Sequence, residues 1–114
     1  MKLEVVPNEH SGREYEVNIS CPEFTAVCPK TGKPDVGTIH ITYVSGEKIV
    51  ELKSLKLYLF SYRDQGIFHE HVTNKILDDF VAACAPVRCE VRGDFNVRGG
   101  IKTVVTAKYQ RESD

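Results

Sequence analysis

Leu52-Lys53-Ser54-Leu55-Lys56-Leu57-Tyr58-Leu59, continued by Val72, Ile76, Phe80 and Ala83, is the stretch that decides the fold. Leu52, Leu55 and Leu59 recur at the helical period of about 3.6, and the second group repeats it, so two helices occupy the middle of the chain. The join around Asp64-Gln65-Gly66 is short enough for an antiparallel helical hairpin, and Pro86 stops the second helix. On either side the period drops to two. Tyr15, Val17 and Ile19 alternate with polar neighbours, as do Ile39, Ile41 and Tyr43, then Val87, Cys89 and Val91, then Val105, Ala107 and Tyr109. Each run reads as a strand with one wet face. The order is β-β-α-α-β-β, an α+β chain with an antiparallel sheet under one helical layer. Such a sheet has two open edges and a modest core, so self-association is expected.

The 114 residues carry 15 Lys and Arg against 16 Asp and Glu, a formal charge of -1. One domain over residues 1–114 fits this length, and the near-neutral field gives little hold on a polyanion such as RNA. A small ligand fits better. No run approaches the roughly 18 apolar residues of a membrane span, and Met1-Lys2-Leu3-Glu4-Val5-Val6-Pro7 has no long apolar signal region, so a cytoplasmic location without membrane contact is expected. Cys21, Cys28, Cys84 and Cys89 read as reduced thiols, and they do not form the two short-gap pairs of a structural zinc site, so no metal is expected. The polar segments 8–13 and 111–114 are expected to fray.

Three stretches carry chemistry. Cys28-Pro29-Lys30-Thr31-Gly32-Lys33-Pro34-Asp35 is a turn-rich loop displaying a thiol, two nearby lysines and a carboxylate, the parts for nucleophilic attack with proton transfer. A plain surface turn with a half-buried cysteine is the simpler account of it. In Glu51-Leu52-Lys53-Ser54-Leu55-Lys56-Leu57-Tyr58, helical spacing puts Lys53 and Lys56 on one stripe that Arg63 roughly continues. Such a stripe holds phosphates, or is simply the solvated side of an amphipathic helix. In Phe68-His69-Glu70-His71, Glu70 sits where a helix dipole favours negative charge, which also suffices to explain it.

Together, and in this order and spacing, the three stretches resemble the NADPH-dependent 7-cyano-7-deazaguanine reductases of the queuosine pathway, in their short form. The resemblance rests on the Cys-Pro-x-Thr-Gly-x-Pro-Asp loop at 28–35, the eight-position signature at 51–58 and the His-Glu pair at 69–70. It implies a tunnelling fold related to GTP cyclohydrolase I, assembling into rings, with a decamer of two pentamers and active sites between subunits. It also implies that Cys28 adds to the nitrile to form a thioimide while Asp35 supplies a proton. Glu70 and His69 then hold the deazapurine. Glu51, Leu52, Lys53, Ser54, Lys56 and Tyr58 form the NADPH-binding element, and two NADPH are used per turnover. No Gly-rich dinucleotide fingerprint occurs, so the cofactor belongs in a surface groove. Members that protect the catalytic cysteine with a second one place it where this chain has Val72. The alternatives are a related amidinotransferase that makes archaeosine in tRNA, and a non-catalytic purine- or pterin-binding member of the fold.

Overall fold

The computed structural model describes residues 2–112. The four long strands and two helices stand where the periodicity puts them: β2 (Glu16–Val27), β3 (Pro34–Val44), α1 (Leu52–Phe60), α2 (His69–Cys84), β5 (Arg88–Arg98) and β6 (Ile101–Gln110). Two three-residue strands, β1 (Val5–Pro7) and β4 (Lys48–Val50), add a small second sheet that the alternation does not reveal. The main sheet runs β2-β3-β5-β6, antiparallel throughout.

Alternation sorts its faces. Ile39, Ile41 and Tyr43 of β3 and Cys89, Val91 and Phe95 of β5 are buried under the helices, where they meet Val72, Ile76 and Phe80 of α2. Tyr43 and Phe80 pack edge to face at 4.8 Å between ring centres, a favoured aromatic geometry. The opposite face is polar and cross-linked by charge, with Arg88 reaching Glu16 at 3.7 Å and Lys108 reaching Glu90 at 3.5 Å. α2 lies over β5 and β6, whereas α1 lies over β2.

Local chemistry sets the helix ends. Glu51 caps α1, its carboxylate accepting from Lys53 N at 2.5 Å and Ser54 N at 2.8 Å, two donors that the helix leaves free. Ser54 Oγ donates to Glu51 O at 2.8 Å and accepts from Glu4 N at 2.9 Å, so the cap is tied to the N-terminal strand. α2 ends on Ala85 in the left-handed region (φ 46), followed by Pro86.

The expectation that 8–13 frays is corrected at its start. Asn8 is buried and donates to Ser45 Oγ (3.2 Å) and Gly46 O (2.9 Å) while accepting from Tyr15 OH (2.7 Å) and His10 N (3.0 Å). An amide with that many partners pins the segment. At the other end, Arg111 N bonds Val87 O at 2.9 Å. Residues 113 and 114 of the expected frayed end lie outside the described residues.

Candidate active site

Three separate parts of the chain meet at one end of the sheet. The first is the β2–β3 turn. Cys28 N donates to Lys33 O and Gly32 N to Cys28 O, each at 2.9 Å, and Gly32 takes the positive φ of 72 that this closure needs. Val27 is then stitched to the segment leading into α2: its N donates to Gln65 O at 2.9 Å, and its O accepts from Ile67 N at 3.0 Å. Cys28 is thereby held beside the start of α2.

The half-buried Cys28 thiol is pushed below its ordinary pKa, first by the Thr31 hydroxyl and then by the backbone N–H groups of Thr31 and Lys30, with loss of hydration and then the Asp35 charge opposing. The lysine side chains that seemed in sequence to activate it are exposed, and Thr31 is the residue that reading missed. Cys84 and Cys89 are the opposite case. Burial pushes them up to about 11 and about 12, which keeps them protonated.

The second and third parts converge on Asp35, which is buried on the helix-facing side of β3. One carboxylate oxygen lies 3.3 Å from His69 Nε2, at the first residue of α2. The other lies 3.3 Å from the Arg98 guanidinium at the end of β5, which also donates to Pro34 O. The His69 ring in turn stacks flat on Phe95, 3.9 Å between centres and 4° between planes. Arg98 and Phe95 were not found from sequence. They lie 63 and 60 residues beyond Asp35, and only the Arg98-Gly99-Gly100-Ile101 turn, with both glycines at positive φ, marks this hairpin locally. Glu70 is exposed, and its carboxylate has no hydrogen-bond partner among the described residues.

The 51–58 signature divides. Glu51, Ser54 and Tyr58 face inward and are held by the protein itself, Tyr58 OH lying 2.5 Å from Asp79 and 2.8 Å from Tyr62 OH. Leu52, Lys53 and Lys56 face outward, and neither lysine has an ion-pair partner among the described residues. Beside them runs a groove of about 700 Å³ between α1 and the β2 bulge, lined by Cys21, Phe24, Leu52, Lys56, Phe60 and Arg63 among others. Its floor is apolar, and its charged lining is Lys56 and Arg63 with the single carboxylate of Glu23, which suits a ligand that is part ring system and part phosphate, as NADPH is. Among the described residues no group of three His, Cys, Asp or Glu is arranged to hold a metal, and no helix is long and apolar enough to cross a membrane.

A thiol of lowered pKa in the turn that leads to the Asp35–His69 contact has the parts for nucleophilic catalysis. A family model described as "QueF-like protein" matches residues 34–114. The chain belongs to the QueF-like family. This QueF-like chain is 62% identical over 107 residues to the NADPH-dependent 7-cyano-7-deazaguanine reductase of Anaeromyxobacter dehalogenans (strain 2CP-C), covering 94% of the chain and 88% of the relative. It is 57% identical over 113 residues to the protein of the same name from Thermomicrobium roseum, covering 99% and 88%. Among solved structures, the archaeosine synthase QueF-Like in the apo form superposes with a TM-score of 0.79 at 21% identity, covering 86% of this QueF-like chain and 96% of the other. That likeness establishes the tunnelling fold for this chain.

Proposed function

We propose that this chain reduces the nitrile of 7-cyano-7-deazaguanine to the primary amine of 7-aminomethyl-7-deazaguanine with two NADPH, as a step toward queuosine. The observation that carries the reading is that Cys28, with its lowered pKa, stands in the closed β2–β3 turn that leads to Asp35 and its His69 contact. A nitrile carbon accepts hydride poorly. Attack by the Cys28 thiolate forms a C–S bond and moves an electron pair to nitrogen, which takes a proton from Asp35, with His69 beside it to replace that proton. The resulting thioimide is the better electrophile.

NADPH, when bound, supplies the hydride for each of the two reductions. After the first, the C–S bond breaks with its electron pair returning to sulfur, which restores the thiolate and leaves an imine for the second. Glu70 offers two acceptor oxygens to the ring N–H and exocyclic amino group of the base, with His69 next to it. Lys53 and Lys56 pair with cofactor phosphates and Leu52 adds apolar surface, while Glu51, Ser54 and Tyr58 serve the cofactor by fixing the helix that carries them.

Residues 1–114 act as one domain in the cytoplasm, without nucleic acid or membrane as direct partner. The open edges of β2 and β6 support joining of sheets into rings, as a decamer of two pentamers. Oxidation of NADPH followed by absorbance, with and without the nitrile, tests the reading. Two NADPH should be consumed per nitrile, and oxidation that does not depend on the nitrile would overturn it.

A further inference from the structure

One cation of the groove has no part in the function proposed above. Arg63 lies in the 3-10 turn (Ser61–Asp64) after α1, its guanidinium carbon 4.2 Å above the Phe60 ring, and it lines the same groove as Leu52 and Lys56. A guanidinium resting on an aromatic ring is oriented by cation–π attraction, keeps its charge at any accessible pH and presents a planar fork suited to phosphate oxygens. Its Nη1 donates to Phe60 O at 3.3 Å, and its carboxylate neighbour, Asp64, is 3.7 Å from Nε with both side chains well exposed, so that ion pair holds it weakly.

The groove also has a direction. Thr25 and Arg63 stand at its end, two residues before Val27 and Gln65, which are bonded to each other next to Cys28. Hydride must reach the carbon attached to Cys28 from about 3–3.5 Å, so the nicotinamide belongs at this end. From the nicotinamide outward, a bound dinucleotide presents a ribose, then the diphosphate, and last the adenosine with its 2′-phosphate. The cations follow the same order. Arg63 comes first, Lys56 stands seven residues back in α1, and Lys53, just outside the groove's lining, lies nearly one turn further.

We infer that Arg63 binds the diphosphate, common to NADPH and NADH, whereas Lys56, backed by Lys53, binds the 2′-phosphate and so sets the preference for NADPH. This rests on the reductase reading and divides the cations of that site between two parts of the cofactor.

The test uses Arg63→Met, which keeps the stem over Phe60, Arg63→Lys, which keeps charge, and Lys56→Met, each checked by its melting temperature. Calorimetry with NADP⁺ in a Cys28→Ala background reads binding without turnover. The ratio of kcat/KM for NADPH to that for NADH, with Cys28 intact, reads selectivity. Arg63→Met should weaken NADP⁺ about tenfold or more, the loss of a charge-assisted contact, and leave the ratio within twofold. Arg63→Lys should recover part of the binding. Lys56→Met should weaken NADP⁺ similarly and lower the ratio about tenfold. A ratio that collapses in Arg63→Met reverses the assignment, and unchanged NADP⁺ binding there reduces Arg63 to a packing partner of Phe60. Either result with normal wild-type NADPH oxidation overturns this inference alone. A wild type that neither binds NADP⁺ nor oxidises NADPH overturns the reductase reading as well.

Discussion

Replacing Gly93 with alanine should damage the fold and the active site through one contact. A Cβ on Gly93 would lie 2.6 Å from Phe95 Cε2, 2.9 Å from Cζ of the same ring and 2.7 Å from Thr73 Oγ1. Thr73 cannot give easily, because its hydroxyl is bonded to His69 O at 2.8 Å inside α2. The Phe95 ring must therefore move, and it is fully packed, so the overpacking should cost about 1–3 kcal/mol. At about 4–8 °C per kcal/mol for a chain near this size, the melting temperature should fall visibly. His69 rests on that ring and stands 3.3 Å from Asp35, so a tilt of the ring opens that contact. Formation of the Cys28 adduct with the nitrile, followed by mass spectrometry, should slow accordingly. Urea unfolding of Gly93→Ala, Phe95→Leu and the double variant isolates the cause, because the smaller side chain makes room for the new methyl. The double variant should lose at least about 0.5 kcal/mol less than the sum of the singles. Additive losses with an unchanged rate of adduct formation would refute the reasoning.

Thr31→Val removes the hydroxyl that does most to lower the Cys28 pKa, so the pH midpoint of Cys28 alkylation by iodoacetamide should move upward, and an unmoved midpoint would contradict the assignment. Ala85→Gly should stabilise the chain by about 1 kcal/mol in urea, since the left-handed conformation at φ 46 strains a Cβ and not a glycine. Cys84 and Cys89 have folded pKa values raised by burial to about 11 and about 12. Between about pH 8.5 and those values the unfolded chain has released protons that the folded chain retains, so stability should fall as pH rises through that window. Urea midpoints that stay level from pH 8 to pH 10 would contradict this.

The long elements were legible because each buries a repeating face. Ile39, Ile41 and Tyr43 could only be a strand, and Val72, Ile76 and Phe80 only a helix. β1 and β4 were not legible, because three residues are too few to show a period and their pairing spans more than forty residues. Asn8 looked like part of a loose end because Ser45 and Gly46, which bury it, lie far along the chain. The same limit divides the site. Cys28 and Asp35 share one loop whose pattern singles them out, whereas His69 was singled out only by the resemblance. Arg98 and Phe95 act on that group only because β5 pairs with β3, where Gly37 lies opposite Phe95. Thr31 stood inside the quoted loop, yet charge drew attention to the lysines, while the turn geometry gives the thiol a hydroxyl and backbone N–H groups instead.

The most direct test of the central claim is intact-mass and peptide-level mass spectrometry of the wild-type chain mixed with 7-cyano-7-deazaguanine in the absence of NADPH. The mass should rise by one substrate per subunit, the label should map to Cys28, and NADPH should then remove it. A label on Cys21, Cys84 or Cys89, or no label on a protein that still oxidises NADPH in the presence of the nitrile, would contradict the account.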